Sequence, residues 1–548
     1  MSLPKPNTAW PPPVLQKVTE RTNESHVWWE GDIVKLNEFY SAEQGAQRTS
    51  SRNRLRDAYD AFWGKPPTTT TQPIKRRHAP VAGVISKLSA KELFNEPPRF
   101  LAPTGSEKKQ AKITSPLQKR TDEIFNKPQF HSKLMGGGET CAALGNSYQR
   151  VVWDPAIADN AFLDFVDADC AIPEFRWGQL IGINFWSELE SDDPRVVWRH
   201  FERHEPGYIV HAVYMGTPTS VGRMMALVDH EDTADIVVDG TDDRGSFTET
   251  GVKELTAAYV PNVTPNPEWR SDPRLKDLGR ADISTDAIPV LHDIDRVYSS
   301  LMKDFRIGTG RVYASENVLT SMGRGKGMGL SEDQEVFTQV GSAMGKDGSM
   351  ESIFQFFQPE IRVLAHDQGG EILLRKILMK TGYSPVSLGL SDEVAQTATE
   401  ASGKKKATID TTTAKARHWG AALGPLATTL LRVDAIKFPG KGVAPTEDLD
   451  IEWPKFARES DEAKSRTVQG WSAAGAASTR SMVAYIHDDW DDEQIDEEVA
   501  LIDKAAELAV PDFGGGFGGD NPPLPNEKPA DDAKPVEDKP AEGNPFAK

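Results

Sequence analysis

Four side chains able to ligate a metal stand close together in RHFERHEPGYIVHA: His200, Glu202, His204 and His211. If Pro206 and Gly207 form a two-residue turn between strands, His200, Glu202 and His204 share one sheet face and His211 falls opposite Glu202. Three imidazoles and a carboxylate in that register could hold a divalent cation. Together with the carboxylates of VDHEDTADIVVDGTDD, Asp229 to Asp243, they outline a metal-dependent phosphodiesterase or nuclease. The bland reading of the same residues is an amphipathic ribbon with half-exposed histidines, since Ile209 and Val213 occupy that face too. The carboxylate run lacks EF-hand spacing and reads as a solvated loop.

Other chemistry finds less support. GRGKGMG, Gly323 to Gly329, resembles a phosphate loop only in its glycines, because Gly-x-x-x-x-Gly-Lys-Ser/Thr is matched nowhere and no buried strand precedes it. It reads as a mobile basic loop. There is no Gly-x-Ser-x-Gly elbow and no His-Glu-x-x-His, and Cys141 and Cys170 lack a protease-like context. Two cysteines make neither a disulfide framework nor a Cys-rich zinc site, which suits a reducing compartment. Lys404, Lys405 and Lys406, with Lys415 and Arg417 farther along, form a basic group at the start of a long helical segment. On a monomer this is a minor solvated face, unfavourable to the helix dipole. Repeated around a ring, such lysines could keep duplex DNA centred without reading its bases.

The elements that would position these residues follow from composition and periodicity. The chain has 548 residues, too many for one core, and its hydrophobic share of 38% with 13 Trp and 22 Phe supplies several. Lys plus Arg number 63 against 82 Asp plus Glu, so a net charge of -19 makes the average surface repel phosphate, and any nucleic-acid contact must be local. No cationic start leads into an apolar run and no stretch is long and apolar enough to span a membrane, so neither a secretion signal nor a membrane partner is expected. Residues 1–27 are Pro-rich and predict an extended arm, with order starting near Trp28. Helical spacing appears over Asp32 to Tyr40, Ser51 to Trp63, Val81 to Leu93 (stopped by Pro97 and Pro98) and Ser115 to Phe125, with a TTTTQP linker after Lys65.

After Tyr148 the period changes to two. QRVVWDP, FRWGQLIGINFWSEL, RVVWRHFERH and YIVHAVYMG predict a β-rich middle third. Helical period returns from Ile288 to Phe305; QPEIRVLAH reads as strand-like; His366 to Thr381 reads as a helix closed by Gly382 with Pro385 as a stop. YSPVSLGLSDEVAQ is a loop. Thr397 and Glu400 form a capping box for a helix running to about Lys437, kinked at Gly424-Pro425. A separate helical unit covers Ser460 to Leu508, and from Gly514 the Gly, Pro, Asp and Lys content predicts a disordered tail.

In this order the segments resemble the portal proteins of tailed bacteriophages with long non-contractile tails, especially phages of actinobacteria. The resemblance runs from Val27 to Lys504. It is carried by FWGKP, HAPVAGVISKLSAKELFNEPP, HEPGYIVHAVYMG, YVPNVTPNPEWR, DIDRVYSSLMKDFRIGTGRV, QPEIRVLAHDQGGEILLRKILMKTGYSP, TATEASGKKKATIDTTTAKARHWG and STRSMVAYIHDDWDDEQIDEE taken collinearly. It implies an α+β portal fold in a homododecamer at one capsid vertex, with a wing (28–283 and the later part of the long helix), a stem (287–306 and 366–382), a clip (307–365) and a crown (460–510). It further implies a tunnel loop at 383–396 bearing Ser384, Pro385, Leu388 and Asp392, clip residues such as Arg324, Lys326 and Arg362, and Lys404, Lys405, Lys406, Lys415 and Arg417 toward the DNA channel. The implied partners are further copies of the chain, double-stranded DNA, the terminase large subunit, major capsid and scaffolding proteins and the head–tail connector. The implied location is the virion, and the host cytoplasm during assembly. The resemblance implies neither catalysis nor a cofactor. The GRGKGMG insert and the long acidic tail depart from shorter relatives.

Overall fold

The computed structural model describes residues 3–48, 76–103, 115–242, 244–308, 311–314, 320–321, 328–329, 354–357, 361–390, 398–456, 461–487, 490 and 492–509. The helix expected over Ser51 to Trp63, the TTTTQP linker, most of GRGKGMG, the capping Thr397 and the tail from Gly514 lie outside these residues. The chain divides into two units, Met1–Glu459 and Ser460–Lys548.

The first unit mixes helix and sheet. It opens with α1 (Gln16–Glu30), α2 (Ile33–Arg48), α3 (Val81–Phe94), the short strand β1 (Arg99–Leu101), α4 (Pro116–Ile124) and α5 (Pro128–Leu144). Local chemistry sets their ends. Asp32 Oδ1 accepts from Val34 N at the start of α2, and Ser115 accepts from Gln118 N ahead of Pro116, which sits where a helix needs no N–H. The helix α5 gave no sequence signal because Gly136, Gly137 and Gly138 interrupt its apolar pattern.

The β-rich third begins at β2 (Asn146–Val152) and continues through β3 (Phe162–Asp167), β4 (Ala171–Arg176), β5 (Gln179–Leu189), β6 (Val197–Glu205), β7 (Tyr208–Thr217) and β8 (Ser220–Met225). After the short helix α6 (Glu231–Ala234) come β9 (Gly240–Asp242), β10 (Gly245–Glu249) and β11 (Ala257–Pro261). One seven-stranded sheet has the order β4-β5-β6-β7-β10-β9 with β8 also on β7, and a three-stranded sheet has the order β11-β2-β3. The run FRWGQLIGINFWSEL is therefore two strands, broken at Trp177-Gly178.

Next come α7 (Ile288–Ile307), the short strands β12 (Arg311–Ala314), β13 (Thr320–Ser321), β14 (Met328–Gly329) and β15 (Phe354–Phe357), α8 (Val363–Thr381) and α9 (Ala398–Lys437). The pairs β12-β15 and β13-β14 are antiparallel. The described part of QPEIRVLAH, from Ile361, is not a strand: Val363 already begins α8. Gly382 closes α8 at φ +81, a left-handed position that glycine takes without steric cost. α9 stays helical through Pro425, and Thr429 Oγ1 donates to the Pro425 carbonyl. The strand β16 (Asp450–Glu452) returns to pair with β1. The second unit holds α10 (Asp461–Ala474), α11 (Thr479–Ile486) and α12 (Asp492–Ala509), with Trp471 against Tyr485 and Arg480 bridging Asp492 and Asp496.

Three cores do most of the packing in the first unit. α9 sends Trp419, Leu423, Leu426 and Leu430 into an aromatic cluster with Phe94, Phe100, Phe125 and Phe130. Trp28, Leu36, Tyr40, Ile85, Leu291, Ile294 and Ile377 join α1, α2, α3, α7 and α8. The third core corrects the reading of residues 1–27 as an extended arm. Trp10 is buried edge-on to Trp186 and Phe201 at 4.8 and 5.3 Å, Ala9 bridges to Ser220, Tyr214 donates to the Pro4 carbonyl, and α1 is already helical from Gln16. Proline favours an extended backbone, but here that backbone lies against the β7–β8 hairpin.

Candidate functional site

Where the end of α8 meets α9, four elements converge on one buried charge pair. Lys415 of α9 places Nζ 2.8 Å from both oxygens of Asp282, 2.8 Å from Ser89 Oγ on α3 and 2.9 Å from the Tyr383 hydroxyl. Asp282 also accepts from Asn262 Nδ2 at 2.8 Å and from Tyr383 at 3.2 Å. Burial opposes the charge on Lys415 most strongly, yet Asp282 and Tyr383 hold its pKa above the ordinary lysine value. Burial pushes the Tyr383 hydroxyl up to about 12, so it stays protonated and able to donate. Lys415 therefore does not face a channel; its charge is spent inside the protein.

The segment after α8 is rooted in the same place. Tyr383 and Ser384 are buried, Ser384 N donates to Thr408 Oγ1 at 2.9 Å, Ser387 shares that hydroxyl at 2.9 Å, and Pro385–Leu388 form a 3-10 turn. Thus Ser384 is a structural anchor and Pro385 and Leu388 belong to an ordered turn; Asp392 lies outside the described residues. On α9, Lys404 and Lys405 are half-buried, Lys405 is 3.9 Å from Glu92, and Lys406 is exposed. Arg417 is also exposed, eleven residues beyond Lys406 and so on the same face three turns on.

At the other end of the α7–α8 pair, Asp304 of α7 accepts from Arg362 at 3.1 Å and His366 at 3.0 Å. The His366 hydrogen bond and the Arg362 guanidinium hold the Asp304 carboxyl below its usual range. With Lys380 on Asp286 at 3.2 Å, ion pairs tie each end of α7 to the opposite end of α8, so the two helices run antiparallel. Arg324 and Lys326 lie outside the described residues.

The histidine ribbon has the expected register: Glu205 pairs with Tyr208 around the Pro206-Gly207 turn, and Glu202 stands opposite His211. Its chemistry, however, is that of a closed hydrogen-bond network. Glu202 accepts from His204 at 2.7 Å and from Arg150 at 2.7 Å, His204 reaches Thr256 at 2.8 Å, and Arg150 also bridges to Asp164. Burial opposes the charge on Glu202, but His204 and Arg150 more than offset it and hold its carboxyl well below the usual range. His200 Nε2 and His211 Nδ1 are 3.2 Å apart, with rings tilted by only 8° and centroids 5.4 Å apart. That is two imidazoles meeting nitrogen to nitrogen almost in one plane, as an N–H···N bond requires. An ion on that line would need the nitrogens about 4 Å apart, given metal–nitrogen bonds of ~2.0–2.1 Å. Among the described residues, no three His, Cys, Asp or Glu side chains are grouped to hold a metal. The acidic run also serves local structure: Asp229 accepts from Ala226 N, Asp239 from Glu249 N and Asp242 from Arg244 N. Cys141 is buried, and burial pushes the Cys170 thiol up to about 12, so neither is poised as a nucleophile.

No protein-family model and no curated protein matches the chain. Among solved structures it is similar to the neck of an empty GTA particle (12% identity, 77% of this chain and 94% of that one, TM-score 0.38). It is also similar to a virion of a native gene transfer agent particle (12%, 74% and 89%, TM-score 0.35) and to the neck of a native GTA particle (13%, 74% and 89%, TM-score 0.34). No described helix is long and apolar enough to cross a membrane.

Proposed function

We propose that the chain is a portal protein: a non-enzymatic, ring-forming conduit at one capsid vertex. It nucleates procapsid assembly, docks the terminase motor and then the head–tail connector, and guides double-stranded DNA during packaging and ejection. In this reading the wing is 28–283, α7 and α8 are the stem, the segment they bracket is the clip, residues 383–396 are the tunnel loop and the second unit is the crown.

The observation that carries the reading is the second apolar stripe of α8. One side of this helix packs Leu373, Leu374, Ile377 and Leu378 toward α7 and the core. The opposite side carries Ile372 and Met379, seven residues apart and 65% and 78% exposed, with Leu364, 76% exposed, at the start of the helix; Tyr298 and Phe305, farther along the apolar stripe of α7, are exposed as well. Large apolar residues repeated along a helix and left bare suit burial against another protein. A copy related by rotation would cover them, and a head-to-tail contact repeated by rotation closes a ring. The acidic balance fits a channel that must let DNA slide, because many strong phosphate contacts would stall it. Lys406 and Arg417 supply a local exception. The closed histidine network favours a structural role over the nuclease alternative.

The test is Ile372→Glu with Met379→Glu. The double variant should keep the helix content of wild type and run as a monomer, because both side chains point away from the core. An assembly of unchanged size would refute this stripe as the subunit contact.

A further inference from the structure

Glycine weakens a helix interior because its backbone gives up the most freedom on folding, yet α8 runs unbroken through Gly369 and Gly370. Close packing would account for such a pair. It is absent here: a Cβ built at either position would meet nothing within 4 Å. Gly370 nevertheless lies on the packed side of α8, because Ile377 and Thr381, seven and eleven residues on, are both buried. The packing face of the helix therefore has a gap at this level, where Gly370 presents no side chain.

The gap separates two lengths of α8 that are held by different means. Beyond it, Leu373, Leu374, Ile377 and Leu378 are anchored in the core shared with α1, α2, α3 and α7. Before it, Val363 to Gln368 contribute no buried side chain. Among the described residues, this first part is tied to α7 by Arg362 and His366 on Asp304, at 3.1 and 3.0 Å, and Ile361, just ahead of the helix, lies against Gly308. α7 has no glycine between Ile288 and Ile307. One helix of the antiparallel pair is thus interrupted by glycine and the other is not.

We propose that Gly369-Gly370 is a joint at which the first two turns of α8 swing away from α7, and that Asp304 latches them in the straight state. Small residues that absorb a change of φ and ψ, next to a segment with few buried contacts, are the parts of a hinge. The device rests on the α7–α8 geometry alone. Its use rests on the reading above: the joint lets the segment bracketed by these helices take one position for the motor and another for the connector.

Hydrogen exchange read residue by residue on the full chain tests it. Amides of Glu371 to Leu374 bond across the joint to carbonyls four residues back. Breaking the latch with Asp304→Asn should speed their exchange about tenfold, the effect of losing two partly solvated ion pairs. Asp367 and Gln368, whose bonds lie within the swinging turns, should change less. Adding Gly369→Ala and Gly370→Ala, which the open space admits, should cancel the gain, since each alanine favours the helix about fivefold. Fraying from the helix end would instead be fastest at Asp367 and Gln368 and fall off toward Leu374. That order, or no change at Glu371 to Leu374, overturns the joint. Variants and wild type are compared in the same assembly state, so the joint can fail while the ring stands, and the reverse.

Discussion

Replacing Lys415 with Met removes the cation from the Asp282–Tyr383–Ser89 junction and leaves the rest in place. Methionine matches the length of the lysine stem, so the cost is electrostatic rather than a void. Asp282 keeps Asn262 and Tyr383 as donors, but its charge loses the ammonium that contacts both oxygens. Breaking a buried pair from one side costs about 3–5 kcal/mol. The double variant Lys415→Met with Asp282→Asn also removes the stranded charge and should cost less than Lys415→Met alone, a reversal of sign that no additive scheme produces. The readouts are the urea midpoint of the full chain and amide exchange over 383–390, where Tyr383 and Ser384 should lose protection first. The pH dependence has a definite sign. The folded-state pKa of Lys415 is raised, so its contribution is complete below the ordinary lysine value of 10.5 and is lost as pH rises beyond it. Lys415→Met should lack this alkaline loss. A loss below about 1 kcal/mol, or a double variant worse than the single, would show that the junction is not a working ion pair.

Trp10→Ala should destabilise the first unit by about 3–5 kcal/mol, the range for deleting a buried aromatic; a change under ~1 kcal/mol in a denaturation curve would restore the extended-arm reading. Burial lowers the pKa of His200 to about 4 and also lowers that of His211, so stability should fall as pH drops from 6.5 toward 4. His200→Phe should flatten that slope, and an unchanged acid limb in thermal melts would count against the N–H···N pair. Replacing Lys404, Lys405 and Lys406 together with Ala should leave assembly intact, since Lys406 is exposed, Lys404 and Lys405 are only half-buried, and charges so solvated contribute at most ~1 kcal/mol each. DNA packaging or retention should change with a dependence on salt, and wild-type behaviour at every ionic strength would make these lysines an ordinary solvated face.

What the sequence revealed followed from local periodicity. The stripe Leu291, Ile294, Val297, Leu301 and Phe305 located α7, Gly382 located the end of α8, and Pro206-Gly207 set the register that puts Glu202 opposite His211. What it concealed depended on residues far apart in the chain. Lys415 belongs by number to a basic helix start, and only Asp282, 133 positions away, turns it inward. Arg120 and Asp434, a buried pair 314 positions apart, gave no signal for the same reason. Trp10 looked like part of a proline-rich arm because its partners Trp186 and Phe201 lie in strands β5 and β6. Trp177-Gly178 is not a usual turn dipeptide, so the break between β4 and β5 was hidden.

Native mass spectrometry of the full chain across micromolar concentrations, paired with class-averaged electron micrographs of the same sample, tests the central claim most directly. The account predicts a closed ring of twelve copies with an axial opening. A stable monomer at every concentration, or an assembly with no central channel, would contradict it.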